Sequence, residues 1–191
     1  MNIRNILAGA AFTAATVVAS AAPVAYEGVL VPSVPVTGSV GGFSYFLETG
    51  ASVDFWRFAG VAGQTVTFDV ARLNGNLDPA MSFYSGTTTA DTSLFRSSAD
   101  WGGLTFLGSL DDEHPPALSP GPDGDPFGSF VLPGTGNYTV AVGGSDSTDA
   151  GSYPYRLTMT SAVAAVPEPS TWAMFTIGVA GLGYLRRRRR T

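Results

Sequence analysis

The stretch QTVTFDV, residues 64–70, is the clearest strand signal in this 191-residue chain. Its apolar side chains, Val66, Phe68 and Val70, alternate with polar ones. Strict alternation is typical of a strand with one buried and one solvated face. Glycines at positions 60 and 63 predict the turn that precedes this strand.

The same period of two recurs in seven other short segments. They are residues 43–47, 53–58, 80–84, 104–110, 129–132, 137–142 and 153–160. In the second segment we expect Trp56 and Phe58 to face inward, with Phe55 and Arg57 on the opposite face. No stretch between residues 22 and 165 sustains a helical period. About eight antiparallel strands, with one wet face per sheet, predict an all-β antiparallel β-sandwich of jelly-roll type.

Glycine and proline mark the connections. Residues 133–136 (PGTG) predict a tight hairpin, and residues 143–151 predict a looser one. Two loops are long, residues 87–103 with Trp101 inside it, and residues 111–128 with five acidic residues and five prolines. Long loops in compact domains are usually functional or disordered.

The composition limits the chemistry. The chain contains no cysteine, which excludes disulfides and thiolate metal sites. All ten basic residues are arginine, and only four of them lie between residues 22 and 166, against fourteen acidic residues. A net charge of about −10 in this part of the chain disfavours nucleic acid as a partner, because phosphates would be repelled.

The acidic loop is a candidate cation site. Asp111, Asp112, Asp123 and Asp125 offer several hard oxygen ligands, which is what Ca²⁺ requires. The spacing is not that of an EF-hand, because no glutamate follows at the position that would close the loop. A solvated acidic face is the alternative interpretation.

Signatures of catalysis are scarce. His114 is the only histidine, and it lies in the proline-rich acidic loop away from any nucleophile motif. Carboxylates alone would allow a hydrolase, although a small sandwich rarely offers the necessary cleft. Trp101 is the one aromatic residue that we consider for stacking on a sugar, against a role in pinning its loop. These residues favour a non-enzymatic protein, with a carbohydrate-binding module as the alternative.

Both ends of the chain carry targeting signals. Residues 1–21 have one early arginine, an apolar run and a small-x-small ending, which predict a signal peptide cut by signal peptidase before Ala22. At the other end, residues 171–185 are uncharged and mostly apolar, and predict a short transmembrane helix. Five consecutive arginines follow and would anchor that helix on the cytoplasmic side. They are Arg186, Arg187, Arg188, Arg189 and Arg190.

The tail begins with Pro167, Glu168 and Pro169, and the order of motif, apolar segment and arginines resembles the PEP-CTERM sorting signal of Gram-negative bacteria. The resemblance implies a membrane-embedded exosortase as a partner. It also implies export across the inner membrane, transient anchoring there, and delivery to the cell surface or an exopolysaccharide matrix.

The middle of the chain resembles the bacterial pre-peptidase C-terminal domain, a calcium-associated β-sandwich. The matching motifs, in order, are Asp54-Phe55-Trp56-Arg57-Phe58, Ala62-Gly63-Gln64-Thr65-Val66-Thr67, Leu77-Asp78-Pro79, Asp111-Asp112, Gly136-Asn137-Tyr138 and Gly151-Ser152-Tyr153. The resemblance adds Asp54 and Asp78 as acidic positions of that family.

These signals predict six consecutive parts. They are a signal peptide (1–21), an extended arm (22–39), the β-sandwich (40–161), a linker with the Pro-Glu-Pro motif (162–170), the transmembrane helix (171–185) and a cytoplasmic arginine-rich tail (186–191).

Overall fold

The computed structural model describes residues 22–41, 52–118, 123–145 and 151–162. The predicted signal peptide, the strand at 43–47, the Pro-Glu-Pro motif, the transmembrane helix and the arginine anchor lie outside these ranges. Within the described ranges, no helix has the length and apolar character needed to cross a membrane.

The described chain forms nine strands and one short 3₁₀ helix. The strands are β1 (Tyr26–Val29), β2 (Val36–Gly41), β3 (Asp54–Gly60), β4 (Thr65–Arg72), β5 (Pro79–Ser85), β6 (Thr105–Leu110), β7 (Phe127–Val131), β8 (Gly136–Gly144) and β9 (Ser152–Ala162). The 3₁₀ helix, Thr92–Leu94, lies between β5 and β6.

The strands form two sheets, in the orders β1-β3-β8-β5-β6 and β2-β9-β4-β7. All pairings are antiparallel except that of β1 with β3. From β2 to β9 each strand lies in the other sheet from the strand before it, except that β5 and β6 are neighbours in one sheet. This is the order of a jelly roll, so the predicted fold class is confirmed. Strand β1 is an added edge strand beside β3.

Two sequence predictions about connections were wrong. Residues 133–136 do not close a hairpin, because β7 and β8 lie in different sheets and the turn crosses between them. The connection from β8 to β9 also changes sheet. Residues 22–39, expected to be an extended arm, contain β1 and most of β2. Glycine and proline predict where a chain turns, but they do not predict which sheet the next strand joins, because that depends on packing.

The main core lies between the sheets and follows the predicted alternation. Val66, Phe68 and Val70 are fully buried, and Trp56 and Phe58 pack in the same cluster. The aromatic rings of Phe58, Phe68, Phe83 and Tyr138 contact one another with centroid distances of 5.3–6.0 Å.

A second core covers the outer face of the five-stranded sheet, which we expected to be wet. Phe55, Tyr84 and Ala141 of that face pack against Phe95 and Trp101 of the loop at 87–103. The long loop therefore folds back onto the sheet and shields it from solvent.

Candidate functional site: an acidic end of the sandwich

Three carboxylates meet where strands of the five-stranded sheet begin and end. Asp78 immediately precedes β5, and Asp111 and Asp112 immediately follow β6. Met81 of β5 pairs with Leu110 of β6, which brings the two sites together. One carboxylate oxygen of each residue lies within 4.8 Å of the other two. The structure thus joins two predicted metal ligands with Asp78, which the family resemblance had named.

Two oxygens in this cluster are buried without a hydrogen bond. They are Oδ1 of Asp78 and Oδ1 of Asp111. Asp78 is 2% exposed, and its Oδ1 lies 3.7 Å from Nη2 of Arg72, beyond hydrogen-bonding distance. The backbone N–H of Ser145 donates to the carbonyl of Asp78 at 2.7 Å, which holds the start of β5 against the end of β8. Buried oxygens without a donor are costly, so this geometry is suited to a cation.

The electrostatics of the cluster point the same way. Burial, together with the charges of Asp111 and Asp112, raises the pKa of Asp78 to about 7, although the charge of Arg72 opposes the shift. Burial also raises the pKa of Asp111 to about 6, together with the charges of Asp112, Glu113 and Asp123. The folded chain therefore holds like charges close together at a free-energy cost that a bound cation would relieve.

Asp125, a third predicted ligand, has a different partner. Its carboxylate forms an ion pair with the fully buried Arg72, with Nε 2.5 Å from Oδ1. Asp125 also accepts hydrogen bonds from the backbone N–H of Arg72 at 3.3 Å and of Ala117 at 2.8 Å. With these donors in place, Asp125 holds the acidic loop to the end of β4 and does not join the three carboxylates.

Asp123, the fourth predicted ligand, holds the acidic loop in place through its backbone carbonyl, and its charge acts on Asp111. Its φ of 43° lies in the left-handed region, and its carbonyl and that of Gly124 accept from Nη2 of Arg72. The N–H of Gly124 then donates to Oδ1 of Asp112 at 3.1 Å. A Cβ at Gly124 would lie 2.6 Å from the carbonyl oxygen of Asp112, so the close approach requires glycine.

Arg72 is the organising residue that sequence reasoning missed. It follows Val66, Phe68 and Val70 at the same spacing of two, so the alternation already placed a charged side chain on the inward face. Because a buried arginine requires a carboxylate partner, the sequence could have predicted that one acid of the loop pairs with Arg72.

The remaining residues of the loop have structural contacts. The ring of His114 stacks on Phe127 with centroids 3.9 Å apart, and its backbone pairs with that of Asp125. Oε2 of Glu113 accepts from the N–H of Asp111 at 2.9 Å and of Phe127 at 3.3 Å. These contacts fold the loop upon itself.

Two other candidate residues lie elsewhere. Trp101 is 6% exposed, with its ring against those of Phe55, Tyr84 and Phe95, so it has no open face on which a sugar could stack. Asp54 begins β3 and lies outside the cluster of three carboxylates.

Comparison with known proteins adds two kinds of information. Residues 165–190 match the PEP-CTERM protein-sorting motif. The sandwich resembles CorA, a surface-associated copper-binding protein of Methylomicrobium album BG8, at 14% identity and a TM-score of 0.55, covering 71% of this chain and 98% of that one. No curated protein sequence gives a significant match.

Two further solved structures give weaker matches. The pre-peptidase C-terminal domain of a Bacillus anthracis collagenase is 12% identical, with a TM-score of 0.41, covering 71% of this chain and 97% of that one. PliG of Aeromonas hydrophila, a periplasmic inhibitor of g-type lysozyme, is 18% identical, with a TM-score of 0.43, covering 72% and 100%. The sorting motif implies an exported, surface-associated protein with an exosortase-type processing partner.

Proposed function

We propose that this chain is a non-enzymatic surface protein of a Gram-negative bacterium, whose β-sandwich is stabilised by Ca²⁺ bound to Asp78, Asp111 and Asp112. Its tail holds it at the inner membrane until an exosortase releases it to the cell surface or the exopolysaccharide matrix. The observation that carries the sorting role is the motif at residues 165–190. The calcium site rests on three convergent carboxylates with two buried, unbonded oxygens.

The donor set favours calcium among the common divalent cations. Ca²⁺ accepts six to eight oxygens in irregular geometry, whereas Mg²⁺ demands a near-ideal octahedron. Cu²⁺ prefers nitrogen ligands, whereas the three residues of this cluster offer carboxylate oxygens. Three carboxylates also supply enough negative charge to bind a divalent ion.

A non-enzymatic role is supported by where the candidate side chains lie. Trp101 is 6% exposed and belongs to the second core, so its ring is not presented to a substrate. The carboxylates of the cluster lie together at one end of the sandwich.

The test is a thermal melt of the chain that starts at Ala22, purified in detergent, with millimolar Ca²⁺ or with a chelator at fixed ionic strength. A ligand at a hundredfold excess over Kd stabilises the folded form by about 2.7 kcal/mol. For a domain of this size that corresponds to about 5–10 °C in Tm.

Variants locate the site. The double variant Asp111→Asn, Asp112→Asn should lose the calcium shift, while Asp69→Asn, an acid on the outer face of β4, should keep it. Mg²⁺ and Cu²⁺ serve as competing ions. Coincident curves with calcium and with chelator would reject the calcium site, and a shift specific to Cu²⁺ would reassign it.

A further inference from the structure

A separate cleft of about 590 Å³ lies beside the first strands, and its lining carries two carboxylates, Glu27 and Asp54. The described hydroxyl side chains of Ser39 and Ser152 also line it, as does Ala22. The two ion pairs among the described residues join Arg72 to Asp78 and to Asp125. Neither Glu27 nor Asp54 therefore forms an ion pair with a described residue. The described lining of the cleft therefore contains two acidic residues and no basic one.

Asp54 is held rigidly from the core side. Its Oδ2 accepts from the hydroxyl of Tyr155 at 2.8 Å and from the N–H of Ser39 at 3.0 Å. The hydroxyl of Tyr155 accepts in turn from Nε1 of Trp56 at 2.7 Å. A Cβ at Gly38 would collide with Oδ2 of Asp54 and with the hydroxyl of Tyr155. The carboxylate of Asp54 is therefore closely packed against the backbone of β2.

Ala22 is held at the same cleft by its backbone. Its carbonyl accepts from the N–H of Thr92 at 2.9 Å, and the N–H of Val24 donates to the carbonyl of Ala90 at 2.9 Å. Val24 is 8% exposed and belongs to the second core. The residue that follows the expected signal-peptidase cut is thus already part of the folded domain.

We propose that this cleft is an ammonium-binding site whose occupant is the α-ammonium group of Ala22. The proposal rests on the export function proposed above. Hydrolysis adds water across the Ala21–Ala22 peptide bond, leaving a carboxylate on Ala21 and an amine on Ala22 that takes up a proton. A neutral peptide nitrogen is replaced by a cation at a cleft that Glu27 and Asp54 also line, so removal of the signal peptide also offsets part of the negative charge of the cleft.

The other charged groups nearby already have partners. The carboxylate of Asp91 accepts from the N–H of Ser93 at 2.8 Å, and the guanidinium of Arg57 lies over the ring of Tyr26 at 5.6 Å. Burial, reinforced by the charge of Glu27, raises the pKa of Asp54, against the hydrogen bonds from Tyr155 and Ser39. An ammonium group in the cleft would relieve the repulsion between the two carboxylates.

The absence of lysine makes a direct experiment available, because the α-amino group is the only amine in a processed chain. The rate of its acetylation by acetic anhydride, measured against pH by intact mass, gives its pKa. A free α-amino group has a pKa of about 7.7–8.0. In the folded chain we expect a higher pKa, and slower labelling at pH 8 than in urea.

Variants decide the assignment. Glu27→Gln, on an exposed position of β1, and Asp54→Asn should each lower the α-amino pKa toward that of the unfolded chain, and Asp69→Asn should leave it unchanged. If Asp54→Asn does not fold, Glu27→Gln alone decides. An α-amino pKa in the ordinary range, unchanged by Glu27→Gln, would overturn the site. A mature chain that starts elsewhere than Ala22 would instead refute the expected cleavage, and with it the premise of this proposal.

Discussion

Replacing Arg72 with methionine should destabilise the sandwich more than any other single change to a charged residue described above. Its side chain is fully buried, and that of Asp125 is 4% exposed, with 2.5 Å between Nε and Oδ1. The substitution leaves the carboxylate of Asp125 buried with only two backbone donors, those of Arg72 and Ala117. It also removes the donor that binds the carbonyls of Asp123 and Gly124.

The magnitude follows from the burial of both partners. Removing one member of a buried ion pair typically costs about 3–5 kcal/mol, because the other charge is left uncompensated. At about 2–4 °C per kcal/mol, Tm should fall by about 6–20 °C. Arg156→Met, an exposed arginine on the outer face of β9, is the matched control and should change the free energy of unfolding by less than about 0.5 kcal/mol.

The assay is urea unfolding in the presence of a chelator, followed by tryptophan fluorescence. The double variant Arg72→Met, Asp125→Leu should recover at least half of the loss, because it removes both charges and fills the space with apolar atoms. A loss below about 1 kcal/mol in Arg72→Met, or simple additivity of the two substitutions, would refute the view that the pair holds the loop to β4.

Three further outcomes are expected. Without calcium, the free energy of unfolding should fall as pH rises from about 4 to about 7, because Asp78 has a raised pKa of about 7 in the folded chain against an ordinary 3.8. Urea titrations at pH 5 and pH 8 measure this difference, and Asp78→Asn should flatten it; an unchanged slope in that variant would assign the dependence to other groups. Trp101→Ala should cost about 3–5 kcal/mol through loss of the second core, while glycan-array signals, if any, stay the same; an array signal abolished in this variant at retained fold would contradict the packing role. Intact-mass spectrometry of the exported protein should find Ala22 at the amino terminus and residues Arg186–Arg190 missing where an exosortase is present, and a species that keeps both Met1 and those arginines would defeat the processing scheme.

The sequence predicted the parts of the fold that depend on side-chain periodicity. Alternation at residues 64–70 identified both the strand and its buried face, because period two follows directly from the pleat. It also placed Trp56 and Phe58 inward and Phe55 opposite. Alternation could not reveal that Phe55 would be covered in turn, because that depends on where the distant loop with Trp101 lands.

Pairing between remote segments accounts for the other differences. The acidic loop was recognised from composition, but the choice among its carboxylates was decided by Arg72, which ends β4 and pairs with Asp125 away from the cluster. Asp78 lies in the site because β5 pairs with β6. The pairing of two strands cannot be predicted from the local sequence of either one. Strands β1 and β2 escaped detection because they are short edge strands separated by proline, and their pairing partners lie far along the chain.

The direction of β9 also determines how the domain is presented. Thr65 of β4 pairs with Ala162, where the described chain ends, and Arg72 pairs with Tyr155 at the other end of the same two strands. The seven steps from Thr65 to Arg72, at about 3.3 Å each, separate these ends by roughly 23 Å. If the chain is anchored through its tail as proposed, the anchor is attached at the Ala162 end of the sandwich, and the carboxylates lie at the opposite end. Ions from the surrounding medium would then reach the carboxylate end of the domain before they reach the end that is attached to the membrane.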